Sequence, residues 1–258
     1  RATRTVPGFH AAAQVHLIEA SDTLRAVQRD TLARDGLIWA ETVEDLPDQP
    51  LFLLANEFFD ALPVRQFQRD GDGWRECCVG LQDVVLTLGL TDRQHAPQLA
   101  HRLDDTRDGD LVETCPAGAN AAGVIGARIA TRGGAALIVD YGDWRSLGNT
   151  LQAVRGHAAA DPLTDPGNAD LTAHVDFEAL ALGAAPAAHT RLTPQGVFLE
   201  RLGITARAQA LAKGLSGTAL ETHIAAHRRL THPQEMGTLF KVLGLYPEGA
   251  SPPPGLEP

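Results

Sequence analysis

One short apolar run that stops abruptly against polar residues constrains this chain more than any other feature. Leu51-Phe-Leu-Leu-Ala55 is followed at once by Asn56-Glu57, then by Phe58, Phe59 and Asp60, and Pro63 closes the stretch. Five apolar residues bounded by polar ones suit a strand buried on both faces of a parallel sheet. The polar pair then falls at the strand's carboxyl end, the edge at which open α/β sheets bind ligands. An amide and two carboxylates are thereby expected at the mouth of a site.

The flanking pattern agrees with that placement. Val15-His-Leu-Ile18 is a short strand ending at Glu19; Ser21 or Asp22 can cap the helix that follows, and Gly36 stops it. Leu37-Ile-Trp39 is a second strand, followed by an acidic loop from Glu41 to Asp48. Strands alternating with helices predict an α/β fold with a doubly wound parallel sheet. Asp70-Gly-Asp-Gly73 is a hairpin turn between Val64–Arg69 and Trp74–Val79, so an antiparallel excursion leaves the main sheet there. Ala117–Arg132 has a helical pattern ending on Gly133-Gly134, and Ala135–Val139 is a further buried strand that ends in Asp140-Tyr141-Gly142. Asp143 to about Leu192 is rich in Gly, Pro and Asp and is expected to form a cap or insertion. Helices over Gln195–Leu202 and Leu220–Leu230 and a closing strand over Leu239–Leu245 complete one domain, 1–246. The Pro/Gly-rich tail, 247–258, is expected to be disordered.

Composition narrows the function. A formal charge of −10 argues against broad nucleic-acid or anionic-membrane binding, which needs a basic face. No apolar stretch approaches the roughly 20 residues of a membrane span, and no signal peptide is visible. Cys77, Cys78 and Cys115 are odd in number and lack a C-x-x-C, so neither a disulfide framework nor a zinc site is supported, and a reducing, cytosol-like compartment fits. The single methionine is Met236 and the chain opens on Arg1, so Arg1 is not expected to be a translation start.

Four groups of residues could carry chemistry. Glu19, at a strand end before a helix, could accept both hydroxyls of a ribose, or could be a solvated charge favoured by the helix dipole; the Gly-rich turn that should precede it is not in the chain. In Asn56-Glu57-x-x-Asp60 the amide could cap a short helix with both acids in its first turn. Alternatively, Glu57 and Asp60 share a face that holds a cation, for which arginine is the natural guest. Asp140-Tyr141-Gly142 is either a sharp strand exit or a second polar cluster on the same edge. His157, His174 and Asp176 make poor metal evidence without a further ligand; a structural or acceptor-site role fits them better, and Asp176 can simply cap the helix from Phe177. Neither a G-x-S-x-G elbow nor a G-x-x-x-x-G-K loop is present.

With these residues in place the chain resembles a known family. Asn56-Glu-Phe-Phe-Asp-Ala-Leu-Pro63 resembles the signature of the MidA/NDUFAF7-type (DUF185) class I S-adenosylmethionine-dependent methyltransferases. The likeness runs through Val15–Gln28, Trp74-Arg-Glu76, Ile138–Gly142, Thr150-Leu-Gln152, His157, Pro166-Gly167, Asp170–Phe177 and Met236–Lys241. The resemblance implies a Rossmann-like methyltransferase sheet, S-adenosylmethionine as cofactor, and methylation of an arginine in a protein substrate. In mitochondrial members that activity supports assembly of respiratory complex I, so the implied location is the bacterial cytoplasm or the mitochondrial matrix. It further implies that Glu19 and Ala20 hold the cofactor ribose, that Trp39 and Glu41 lie by the adenine, and that Asn56 and Glu57 sit beside the methionine part and the reacting methyl. Glu57 is the first choice and Asp60 the second for orienting a guanidinium and taking its proton, with Tyr141 and His157 lining the acceptor channel. Family members carry a Gly-rich E-x-G-P-G-x-G-type loop after their first strand. That loop and one central strand are expected to be missing here, with Arg1–Arg4 in or after the first helix and an open seam in the sheet. A non-catalytic assembly factor on the same fold is the alternative; a nicotinamide-dependent oxidoreductase suits Glu19 but explains nothing from Asn56 to Pro63.

Overall fold

The computed structural model describes residues 6–258, so the expectation for Arg1–Arg4 lies outside the described residues. The chain divides into two compact units, Arg1–Gln49 and Pro50–Pro258, where the sequence suggests one domain over 1–246. In the first unit a single turn, Phe9–Ala12 (α1), precedes Val15–Ile18 (β1), Asp22–Leu32 (α2) and Leu37–Ala40 (β2). β1 and β2 pair in parallel, with Val15 opposite Leu37 and Ile18 opposite Ala40. Ser21 is the cap: its hydroxyl accepts from the Leu24 N–H at 3.3 Å. The helix ends earlier than Gly36, at Leu32, because Ala33 itself adopts the left-handed conformation that terminates it.

The second unit is built around one strand. Leu51–Asn56 (β3) is followed by an antiparallel sheet of Arg65–Asp70 (β4), Gly73–Gln82 (β5), Val85–Leu90 (β6) and Leu111–Thr114 (β7), in the order β6-β5-β4-β7. This is the predicted excursion, turning at Asp70–Gly73, and it encloses a small core of Phe67, Trp74, Ala96, Leu99 and Val112. The chain returns through Pro116–Arg132 (α3) into Gly134–Asp143 (β8). β8 pairs in parallel with β3 along Gly134–Val139 and, at its far end, in parallel with Val175–Asp176 (β12). Its other edge pairs antiparallel with Phe240–Tyr246 (β15), so the sheet is mixed. Between β8 and β12 the cap region forms a small sheet of Gln152–Arg155 (β9), Ala158–Ala160 (β10) and Asp170–Thr172 (β11). After β12 come Phe177–Gly183 (α4), Ala188–His189 (β13), Thr193–Pro194 (β14), Gln195–Arg201 (α5), Ile204–Ala212 (α6), Gly217–Thr231 (α7) and Met236–Leu239 (α8). β13 and β14 both pair with β15. Among the described residues no helix is long and apolar enough to cross a membrane.

Two expectations about burial and order also change. β3 is not buried on both faces: Phe52 and Leu54 stand 82% and 81% exposed. Within its unit β3 bonds to β8 alone, and α3 packs across β3, β8 and β15 on the opposite face. The tail is also ordered. Leu256 is buried with Phe198 and Val242, against which Leu137 and Val139 pack. The Arg191 N–H donates to the Glu257 carbonyl at 2.9 Å, and Arg201 pairs with the Glu257 carboxylate at 2.6 Å. The gap that admits Leu256 is Gly244 in β15, where a Cβ would stand 2.8 Å from the leucine methyl. The apolar partner invisible in the linear pattern is thus a vacancy in a distant strand.

A packed tail has a measurable consequence. Leu256→Ala is expected to destabilise the fold by about 2–3 kcal/mol in urea unfolding, whereas removal of a side chain from a disordered tail would leave the midpoint unchanged.

Candidate functional site

The carboxyl ends of β3 and β8 meet because their parallel register puts Asn56 beside Val139, and the Glu57 N–H continues the ladder to the Val139 carbonyl at 3.0 Å. The chain then leaves the sheet across Asp140. The buried Asp140 carboxylate accepts the N–H groups of Phe59 at 3.1 Å and Asp60 at 3.3 Å through one oxygen, and that of Tyr141 at 3.0 Å through the other. Burial, and then the charge of neighbouring Asp60, push Asp140 up to about 7 against the pull of those donors.

The turn so held is not helical, and Glu57 and Asp60 do not share a face. Glu57 has φ of 49°, a left-handed backbone that costs a non-glycine residue of order 1 kcal/mol or more. Its carboxylate is exposed and accepts from the Asn56 side-chain amide at 3.1 Å. Asp60 is buried instead; its side chain meets the Tyr141 hydroxyl, which also meets Thr172, and its carbonyl accepts from the Ala173 N–H at 3.0 Å. Burial first, and Asp60 next, raise the Tyr141 hydroxyl above its ordinary range, so it stays protonated as a donor. The Tyr141 ring packs edge-on against His174 and Phe240, with centroids 5.5 and 5.4 Å apart.

Beyond Tyr141 the edge opens into a cleft of about 650 Å³ lined by Gly142, Arg145, Thr150, His174 and Lys241 among others. Gly142, with φ of 150°, has no room for a Cβ, which would lie 2.2 Å from the Val175 carbonyl oxygen. The Lys241 ammonium donates to the carbonyls of Gly142 at 3.1 Å and Thr238 at 2.7 Å, tying the β8 exit to α8. Asp176 does cap α4, accepting from the Ala179 N–H at 2.9 Å.

His157 is not brought to this cleft. It is exposed in the tight turn after Gly156, with φ of 64°, between β9 and β10. Glu113, absent from the sequence candidates, organises one wall. This buried carboxylate accepts from the Gln66 amide at 2.8 Å, the Thr150 N–H at 3.0 Å, the Leu151 N–H at 3.2 Å and the Thr150 hydroxyl. The Thr150 hydroxyl in turn accepts from the His174 N–H at 2.8 Å. The sequence trace of this hub is an acid directly after Leu111-Val112 in the short strand β7.

In the first unit the corresponding edge gathers Glu19, Ala20, Trp39 and Glu41. Glu19 accepts from the Ser21 N–H at 2.9 Å and the Gln28 amide at 3.2 Å, while Gln28 accepts from the Trp39 indole N–H at 2.9 Å. Arg25 donates to the Glu19 carbonyl at 3.0 Å and reaches Glu41 at 3.3 Å and Asp22. Ala20 is exposed in the turn between. A carboxylate accepts at about four lone-pair sites, so Glu19 retains capacity for two ribose hydroxyls; the Trp39 indole beside it carries the Arg29 guanidinium over its ring, 5.0 Å from the centroid. This donor set fits a nucleoside.

Comparison with known proteins agrees. A family model described as "Putative S-adenosyl-L-methionine-dependent methyltransferase" matches residues 1–196. The mitochondrial protein arginine methyltransferase NDUFAF7 of Xenopus laevis is 32% identical over 263 residues, covering 90% of this chain and 59% of that protein. The human protein of the same name is 32% identical over 260 residues, covering 90% and 58%. The chain thus spans somewhat under two thirds of the length of these relatives. A solved Burkholderia thailandensis structure with S-adenosyl-homocysteine bound superposes with a TM-score of 0.75 at 29% identity, covering 90% of this chain and 63% of that one.

The raised Asp140 carboxyl sets a pH dependence with a definite sign. The folded state holds this proton up to about pH 7 while the unfolded chain releases it near its ordinary value of 3.8. Stability from this group is therefore present below about pH 4 and is lost as pH rises to about 7. Asp140→Asn is expected to remove that slope when urea midpoints are measured across the interval.

Proposed function

We propose that this chain, which belongs to the family of S-adenosyl-L-methionine-dependent methyltransferases, directs methyl transfer to an arginine of a protein substrate. The observation that carries this reading is the exposed Glu57 carboxylate, fixed by a left-handed backbone and by Asn56 at the carboxyl edge of β3. A guanidinium is essentially always protonated and so a poor nucleophile. A carboxylate held in a set orientation accepts its N–H groups and takes the proton it releases as the nitrogen becomes nucleophilic.

S-adenosylmethionine, when bound, supplies an activated methyl on a sulfonium, which leaves the protein chiefly the task of positioning. In the first unit the candidates for contact with ribose and adenine are Glu19, Ala20, Trp39 and Glu41; in the second, taken by itself, the candidates for contact with the methionine part are Asn56 and Glu57. Asp140 keeps the Glu57–Asp60 turn on the sheet through backbone donors, and Asp60 with Tyr141 braces the inner side of that turn. Tyr141 and His174 then form the aromatic threshold to the cleft through which an acceptor side chain would enter. A respiratory-chain subunit as acceptor, a role in complex I assembly, and residence in the bacterial cytoplasm or mitochondrial matrix extend the same proposal; the mitochondrial names of the relatives support the mitochondrial location alone.

The test combines a labelled-methyl transfer assay with calorimetry using S-adenosylhomocysteine. Glu57→Gln is expected to lower transfer about 100-fold or more, the usual contribution of a general base, with binding of S-adenosylhomocysteine retained. Full transfer by that variant would overturn the role of Glu57. Failure of the full-length protein, carrying the Gly-rich loop, to bind S-adenosylhomocysteine would instead favour a non-catalytic assembly factor.

A further inference from the structure

The β5–β6 ribbon is apolar on a face that, among the described residues of its own unit, no other element covers. β4 accompanies β5 only as far as Glu76, opposite Phe67. From Cys77 to Leu90 the ribbon therefore has two strands and no third. Its register sets Cys77 opposite Leu90, Val79 opposite Leu88 and Leu81 opposite Leu86. Directly opposed residues of an antiparallel pair project to the same side, so these six make one continuous apolar face. It lies on the side of the sheet away from Phe67 and Trp74, whose core is on the other side. The reverse face carries Cys78, Gly80, Gln82, Thr87 and Gly89 together with Val85.

The apolar face is open: Val79 is 56%, Leu81 72%, Leu88 59% and Leu90 48% exposed. A lone two-stranded ribbon is marginal in water and needs a surface against which to pack. An exposed apolar patch on the order of 500 Å² marks an interaction site. Area and the lack of charge on the face fit a second copy of the chain. The chain carries a formal charge of −10, so two copies repel through most of their surface. Between Cys77 and Leu90 the only charged residue is Asp83, at the turn. A two-fold contact sets a patch against its own copy, and this patch brings no charge to be buried unpaired. Two such faces stacked together bury on the order of 1,000 Å², the least that a specific interface requires.

We propose that the β5–β6 ribbon is a self-association surface, on which a second copy of this chain seats the same apolar face about a two-fold axis. The contact is weak and concentration-dependent, in keeping with its area. It is independent of the methyl-transfer chemistry, and its readout is mass alone.

Sedimentation equilibrium of the unaltered chain over a range of concentrations tests this. The weight-average mass should rise from 27.4 kDa toward twice that value. The double variant Leu81→Lys, Leu88→Lys should weaken association about tenfold or more. Gln82→Lys with Thr87→Lys adds the same charge to the reverse face and should leave association within about twofold. Circular dichroism checks the fold, and if the first pair loses it, Leu81→Lys alone carries the test. A chain monomeric at every concentration, association that survives the Leu81 change, or equal weakening by both pairs would each overturn the proposal.

Discussion

The site depends on how the chain leaves β3. A parallel strand pair ends with its last donors and acceptors facing solvent, and something must hold the departing backbone if side chains there are to keep fixed positions. Here Asp140 does so, collecting N–H groups from Phe59, Asp60 and Tyr141 on one buried carboxylate. Two segments about eighty residues apart are thereby joined at a single side chain. Because the turn is anchored from behind, Glu57 can be held in an unfavourable backbone conformation with its carboxylate outward. Strain of this kind persists only where the surroundings over-determine it.

The surrounding carboxylates divide by environment rather than by residue type. The Glu57 carboxylate is exposed and accepts from its neighbouring amide. Asp60 is turned inward to Tyr141, Asp140 is buried and raised, and Glu113 is buried under donors from Gln66, Thr150 and Leu151. These four acids thus have separate tasks: Glu57 is exposed, Asp60 bonds a tyrosine hydroxyl, and Asp140 and Glu113 organise backbone. The same division explains why Thr150 and His174, far apart in sequence, form one wall, since the Thr150 hydroxyl is held by Glu113 and accepts from the His174 backbone.

Much of this was legible in the linear pattern. Apolar runs ending in polar residues located the carboxyl ends of β1 and β3, and the Asp70–Gly73 turn announced the antiparallel excursion. β8 instead runs four residues past its expected end at Val139, to Asp143, because β15 and β12 supply partners there. Strand type and turn position are local properties, set by side-chain period and turn chemistry, so they survive translation from sequence to fold. Burial is not local. Leu51–Ala55 reads as doubly buried, yet Phe52 and Leu54 are exposed, because burial depends on which neighbours a sheet face receives. The tail reads as unpartnered, yet Leu256 fills the space that Gly244 leaves in β15.

The sequence by itself therefore determined the fold class and the residue types at the carboxyl edge, Asn56, Glu57, Asp60 and Tyr141, with Glu19 in the first unit, that make up the candidate site. Only the tertiary structure decided their roles. Spacing made Glu57 and Asp60 equivalent neighbours on a helical turn; the capture of two backbone N–H groups by Asp140 turned that segment out of a helix and sent one carboxylate outward and the other in. It also left His157 in a remote turn and drew Glu113 and Lys241 into service. The physical reason is that a side chain's type is written in the chain, while its burial and hydrogen-bond partners come from residues that the sequence places far away.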